Sequence, residues 1–127
     1  GHRIALSAPG QAALGAPFGV SVGMPIGVNA ARAELELGYD PRLLQVIGVG
    51  GGGADPVTIV PTQPGRLVLR TKTASKGGNE AITVQFRVIA SAAAETQVAP
   101  TSAQIVDAQG RPLALSAPPP HALRIAP

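Results

Sequence analysis

Residues 33–47, AELELGYDPRLLQVI, constrain the fold more than any other stretch of this sequence. Ala33, Leu35, Leu37 and Tyr39 alternate with Glu34, Glu36 and Gly38, the period of a strand that buries one face. Asp40-Pro41 then ends the strand. The aspartate can accept hydrogen bonds from backbone N–H groups ahead of it, and proline has no N–H to contribute to a ladder. Leu43 and Leu44 can fold back beneath that corner, and Gln45 to Val49 leads away as a second strand.

The rest of the chain repeats this theme of short strands and hard stops. Its 16 glycines and 13 prolines are spread over 127 residues, so a helix longer than about two turns has nowhere to form. Arg3 to Ala8 reads as a first strand broken by Pro9-Gly10. Pro17 to Ile26 reads as a long one with Phe18, Val20, Val22 and Met24 on its inner parity, and Gly27 to Ala30 turns into the organising strand. GGGGAD after Val49 reads as a loop, Val57 to Val60 as a short strand, and Gln63-Pro64-Gly65 as a turn.

In Arg66 to Lys72, Leu67 and Leu69 alternate with Arg66, Val68 and Arg70, and Thr73 to Glu80 is a polar loop. Ala81 to Ala90 turns Ile82, Val84, Phe86 and Val88 inward. Glu95 to Val98 and Ala103 to Asp107 are strand-like around Pro100, which predicts a bulge or an edge. Ala108-Gln109-Gly110 is a hairpin turn returning through Arg111 to Leu115. Pro118-Pro119-Pro120 is a stiff spacer before a closing strand, His121 to Ile125. About nine strands with turn signals every ~8–12 residues predict an all-β fold, a two-sheet antiparallel β-sandwich. Residues 1–127 are expected to form one domain, with Gly1-His2 read as a tag remnant. With Phe18, Tyr39 and Phe86 as the only aromatics, the core must be built from Val, Ile, Leu and Ala.

No catalytic constellation is legible. Gly48 to Gly53 satisfies G-x-G-x-x-G after a strand, but Asp55-Pro56 prevents the helix that a dinucleotide site needs, and Arg66 to Lys72 supplies no acid. Glu34 and Glu36 share one strand face about 7 Å apart, a glycosidase-like spacing, yet such pairs flank a cleft from opposite sides. With Asp40 they would make a calcium site only if about six oxygens converged. His121, in a chain without cysteine, supports neither a triad nor a zinc site. No metal and no cofactor are expected. The net charge of +3 comes from scattered bases without interleaved aromatics, which argues against nucleic acid. No apolar run approaches the roughly 20 residues of a membrane span. Lack of cysteine excludes disulfides and leaves the compartment open.

What remains is surface. Arg32, Glu34 and Glu36 project from one strand, and Arg66 and Arg70, with Lys72 on the same parity, from another. If those strands pair, their alternating charges form a polar patch suited to docking a protein; the alternative is an ordinary solvated sheet face.

The run Leu37-Gly38-Tyr39-Asp40-Pro41, followed by Leu43-Leu44-Gln45-Val46, resembles the signature of cohesin domains, apolar-x-Tyr-Asp-Pro-x-x-Leu-x-Val. Ala81 to Val88 is similar to a later cohesin strand that ends Phe-basic-Val, and the order of elements matches over essentially the whole chain. The resemblance implies a jelly-roll sandwich in which the first and last strands pair, setting Arg3–Ala8 beside His121–Ala126. It also implies a non-enzymatic module that binds a protein partner.

Cellulosomal members dock dockerin helices on one sheet face, partly through small polar residues where this sequence has Arg32, Ala33 and Glu34. Cohesin-like domains are also appended to bacterial envelope proteins, including secretin-type secretion components, and the Ala/Arg/Pro-rich usage resembles that of a high-GC bacterium. The expected setting is therefore an exported protein, periplasmic, outer-membrane-associated or extracellular, whose partner is another protein or a neighbouring domain. The alternatives are a structural spacer with the triproline as its exit, a dockerin-binding cellulosomal cohesin, and a carbohydrate-binding module. The absence of Trp and an inward position for the one tyrosine argue against glycan binding.

Overall fold

The computed structural model describes residues 3–26, 30–51, 57–72 and 78–127. Gly1-His2, residues 27–29 of the turn expected from Gly27 to Ala30, residues 52–56 at the end of the glycine loop and residues 73–77 of the polar loop lie outside them, while Ala30 already belongs to the next strand. The strands are β1 (Ala5–Ser7), β2 (Gln11–Ala13), β3 (Pro17–Ile26), β4 (Ala30–Gly38), β5 (Leu44–Gly51), β6 (Thr58–Val60), β7 (Arg66–Lys72), β8 (Gly78–Val88), β9 (Ala94–Asp107), β10 (Pro112–Ala114) and β11 (His121–Ala126). They form two sheets, β1-β3-β8-β5 and β2-β11-β9-β4-β7-β6, with β10 also on β9.

The sandwich follows from the alternation. Val20, Val22 and Met24 of β3 and Ile82, Val84 and Phe86 of β8 are fully buried, as are Leu35 and Leu37 of β4 and Leu69 of β7. Each such side chain removed from water contributes about 1.5–3 kcal/mol before conformational entropy is set against it.

Four expectations need correction. Arg3–Ala8 does not lie beside His121–Ala126: β1 pairs with β3 in the smaller sheet, and Gln11–Ala13 pairs with β11. The chain changes sheets at Pro9-Gly10, where proline offers no N–H to a continuing ladder and the Gly10 carbonyl instead accepts from Arg124 N at 2.9 Å. The β2–β11 pairing is parallel, so the sandwich is not wholly antiparallel.

The glycine and polar loops are shorter than read. Gly50 and Gly51 pair with Thr83 and Ile82, and β8 already begins at Gly78, because ladder bonds need only backbone. Finally, the triproline is no exit. It connects β10 to β11, which is held on both sides by β9 and β2. By contrast, the bulge expected near Pro100 is present. β9 is one continuous strand in which Thr101 is the extra residue between the pairs Glu36–Ser102 and Leu37–Pro100.

The Asp40 corner forms as its residues dictate. Asp40 Oδ1 accepts from Arg42 N at 2.9 Å, and its carbonyl accepts from Leu43 N and Leu44 N at 3.1 and 3.0 Å. Leu44 is buried beneath it, and Tyr39 is half-buried. A second turn is latched to the first. Arg66 N donates to Gln63 O with Gly65 at φ 91°, the type II geometry suited to Pro-Gly, and Tyr39 N donates to Gly65 O at 3.0 Å.

Candidate functional site

β4 lies between β7 and β9 in the larger sheet. Its inward residues fill the core, so its outward residues are presented with those of both neighbours. The β4–β7 register sets Arg32 across from Lys72, Glu34 across from Arg70, and Gly38 across from Arg66. The β4–β9 register sets Glu34 across from Gln104 and Glu36 across from Ser102. All five expected residues, Arg32, Glu34, Glu36, Arg66 and Arg70, therefore come together on one face.

Two acids hold three arginines. Glu34 Oε1 lies 2.8 Å from Arg70 Nε and 3.6 Å from Arg32 Nε, while its Oε2 accepts from Gln104 Nε2 at 2.6 Å. Glu36 Oε1 is paired with Arg66 Nε, and its Oε2 accepts from Thr101 Oγ1 at 3.0 Å. The hydrogen bond from Arg66 holds the Glu36 carboxyl below its ordinary value. Partial burial opposes that shift, and Thr101 and the Arg66 charge reinforce it.

Depth separates the two charges. The Glu34 and Glu36 side chains are only 19% and 18% exposed, whereas Arg32, Arg66 and Arg70 are 51%, 56% and 54% exposed. Between them lies a shallow depression of about 180 Å³ lined by Glu34, Glu36, Arg66, Val68, Ser102 and Gln104.

Both carboxylates accept from cationic and neutral donors at once, which leaves neither placed as a general acid or base. Asp40, the third acid weighed for calcium, is engaged by Arg42 at 3.1 Å. Among the described residues no group of three His, Asp or Glu is placed to hold a metal ion. Sequence reasoning missed Thr101, Ser102 and Gln104. The bulge at Thr101 breaks the period of two just where these residues meet β4, so no alternation marks them in the sequence.

No protein-family model matches this sequence, and no curated protein matches it. Solved structures do. The cohesin module of a Clostridium perfringens family 33 glycoside hydrolase superposes at a TM-score of 0.80 and 13% identity, over 98% of this chain and 96% of that one. The sixth cohesin of Acetivibrio cellulolyticus scaffoldin B, solved with a mutant Cel5 dockerin, gives 0.74 and 20% over 98% and 99%. A non-cellulosomal cohesin from the hyperthermophilic archaeon Archaeoglobus fulgidus gives 0.70 and 17% over 98% and 92%. The two-sheet topology, the Tyr39-Asp40-Pro41 corner and these superpositions lead to one conclusion: the chain has the cohesin fold.

Proposed function

We propose that this chain is a non-catalytic protein-binding module of an exported or cell-envelope bacterial protein, and that its partner docks on the outer face of β9, β4 and β7. The observation that carries this reading is the gathering of Arg32, Glu34, Glu36, Arg66 and Arg70 into one solvent-facing set of ion pairs, two of them between β4 and β7 (Glu34–Arg70, Glu36–Arg66) and one along β4 (Arg32–Glu34). Charged residues held in fixed geometry on a sheet give register and specificity to a protein contact more than raw affinity. The scaffoldin cohesin solved with a dockerin offers a precedent for the fold in protein recognition. A role within a secretin-type secretion assembly is the setting we favour, on the composition of the chain.

The immobilised module should capture a partner from envelope extract of the source bacterium. Capture should change when Glu34 and Glu36 are reversed to Lys, or Arg66 and Arg70 to Glu. Capture indifferent to both reversals rejects this face. The flanking gene sequence tests the setting: secretin segments support it, and a glycosidase neighbour points to a cellulosomal role.

A further inference from the structure

We infer that the partner presents carboxylates to this face, so that the ligand is an acidic protein segment. The inference rests on the docking role proposed above and adds the sign of the partner's charge.

The strands alternate both signs, and by residue type the face looks balanced. Depth breaks the balance. Glu34 and Glu36 sit at the floor, each satisfied by an arginine and by Gln104 or Thr101, while Arg32, Arg66 and Arg70 stand over them more than half exposed. Each arginine meets its acid through Nε, and more than half of each arginine side chain stays exposed. An approaching molecule therefore meets guanidinium N–H donors first. Guanidinium groups hold carboxylates in a fork, with two roughly parallel bonds. Arg66 and Arg70 are four residues apart on β7, about 13 Å along the strand, a distance spanned by carboxylates about two turns apart on a helix or four residues apart on a strand.

A phosphate polymer or an anionic membrane fits this face less well. Beside Arg66 the floor carries Val68, Ser102 and Gln104 with Glu34 and Glu36, not the continuous run of cations that a phosphate backbone would track. None of the outward residues of β4 or β7 is aromatic, so bases have nothing to stack on. Mixed apolar and neutral polar ground between cations suits the mixed side chains of a peptide.

The test uses a labelled poly-glutamate peptide, a poly-lysine peptide of equal length, a single-stranded oligonucleotide and vesicles of anionic lipid. Binding is read by fluorescence anisotropy, by vesicle sedimentation and by backbone amide shifts. Poly-glutamate is expected to bind, to shift amides of β4 and β7, and to weaken on adding salt as screening shortens the reach of the charges. Arg66→Glu with Arg70→Glu should weaken it on the order of tenfold or more, and Glu36→Gln should strengthen it by about two- to fivefold, since a floor acid no longer opposes the ligand. If the double reversal does not fold, Arg66→Gln with Arg70→Gln should still weaken binding.

Poly-lysine binding preferred on this face, or weakening by Glu36→Gln, overturns the acidic partner while leaving the docking face standing. Tighter binding of the oligonucleotide or the vesicles overturns it as well, as does poly-glutamate binding that ignores the arginine changes. The docking face itself falls only if envelope capture is also indifferent to both charge reversals.

Discussion

The ring of Tyr39, just past the end of β4, meets Phe86 of β8 edge-on across the two sheets, with centroids 5.4 Å apart and planes inclined at 66°. Phe86 is in turn stacked on Phe18 of β3 at 5.5 Å. The three aromatic residues of the chain thus form one cluster that ties the Asp40 corner to the opposite sheet. Aromatic pairs of this geometry add about 0.5–1.5 kcal/mol beyond the area they bury.

Phe86 is buried and Tyr39 half-buried, so truncation should separate them. Phe86→Ala should cost about 3–5 kcal/mol and Tyr39→Ala about 2–3 kcal/mol in urea unfolding. A loss below about 1 kcal/mol at Tyr39 would show that the ring does not bridge the sheets.

Among the described residues of the glycine run, Gly51 tolerates a side chain least. Gly51 has φ 80°, and a Cβ there would stand 2.3 Å from the Ala81 carbonyl oxygen, whereas one on Gly50 meets nothing within 4 Å. Gly51→Ala should cost about 1–3 kcal/mol or more, while Gly50→Ala should stay within about 1 kcal/mol of the parent. Equal melting temperatures for the two variants would contradict the β5–β8 pairing.

Acid should destabilise the fold. Hydrogen bonds lower three carboxyls below their ordinary values: Glu36 through Arg66, Asp40 through the Arg42 side chain and backbone, and Asp107 through the Arg111 backbone N–H. Each binds fewer protons folded than unfolded, so its contribution is complete above the unfolded value of about 4 and is lost as pH falls through the lower folded value. The melting temperature should hold level down to about pH 5 and then fall below about pH 4. A curve that stays level or rises toward pH 3 would contradict these pairings.

The charged face should matter little to folding. Ion pairs whose cations are half exposed contribute roughly 0–1 kcal/mol each. Glu36→Gln, which can keep the Thr101 contact, should therefore leave urea stability within about 1 kcal/mol of the parent. A larger loss would mean the face is built for stability and would weaken the case that it is kept for a partner.

Much of this molecule could be read in one dimension. Leu35 and Leu37, Leu67 and Leu69, and Ile82 through Phe86 go inward because a strand turns alternate side chains to opposite faces, and apolar residues on one parity have a single way to leave water. Asp40-Pro41 and Pro64-Gly65 turn where they do because each carries its backbone preference within itself. These are local rules. They determined the all-β sandwich, the corner and which charges point outward.

Which strands lie side by side was not local. Whether Arg3–Ala8 joins β3 or β11, whether Gly50-Gly51 extends a strand, and which β9 residues face Glu34 and Glu36 all depend on partners distant in the chain and on a bulge at Thr101. Depth on the face was decided there as well. Residue type places Glu34 and Arg70 on one surface, but only the place of β4 between β9 and β7, with Arg66, Arg70, Thr101 and Gln104 against its acids, leaves those acids far less exposed than the arginines. Backbone hydrogen bonds between strands are indifferent to sequence, so register and depth are settled by how two whole sheets close over a shared core.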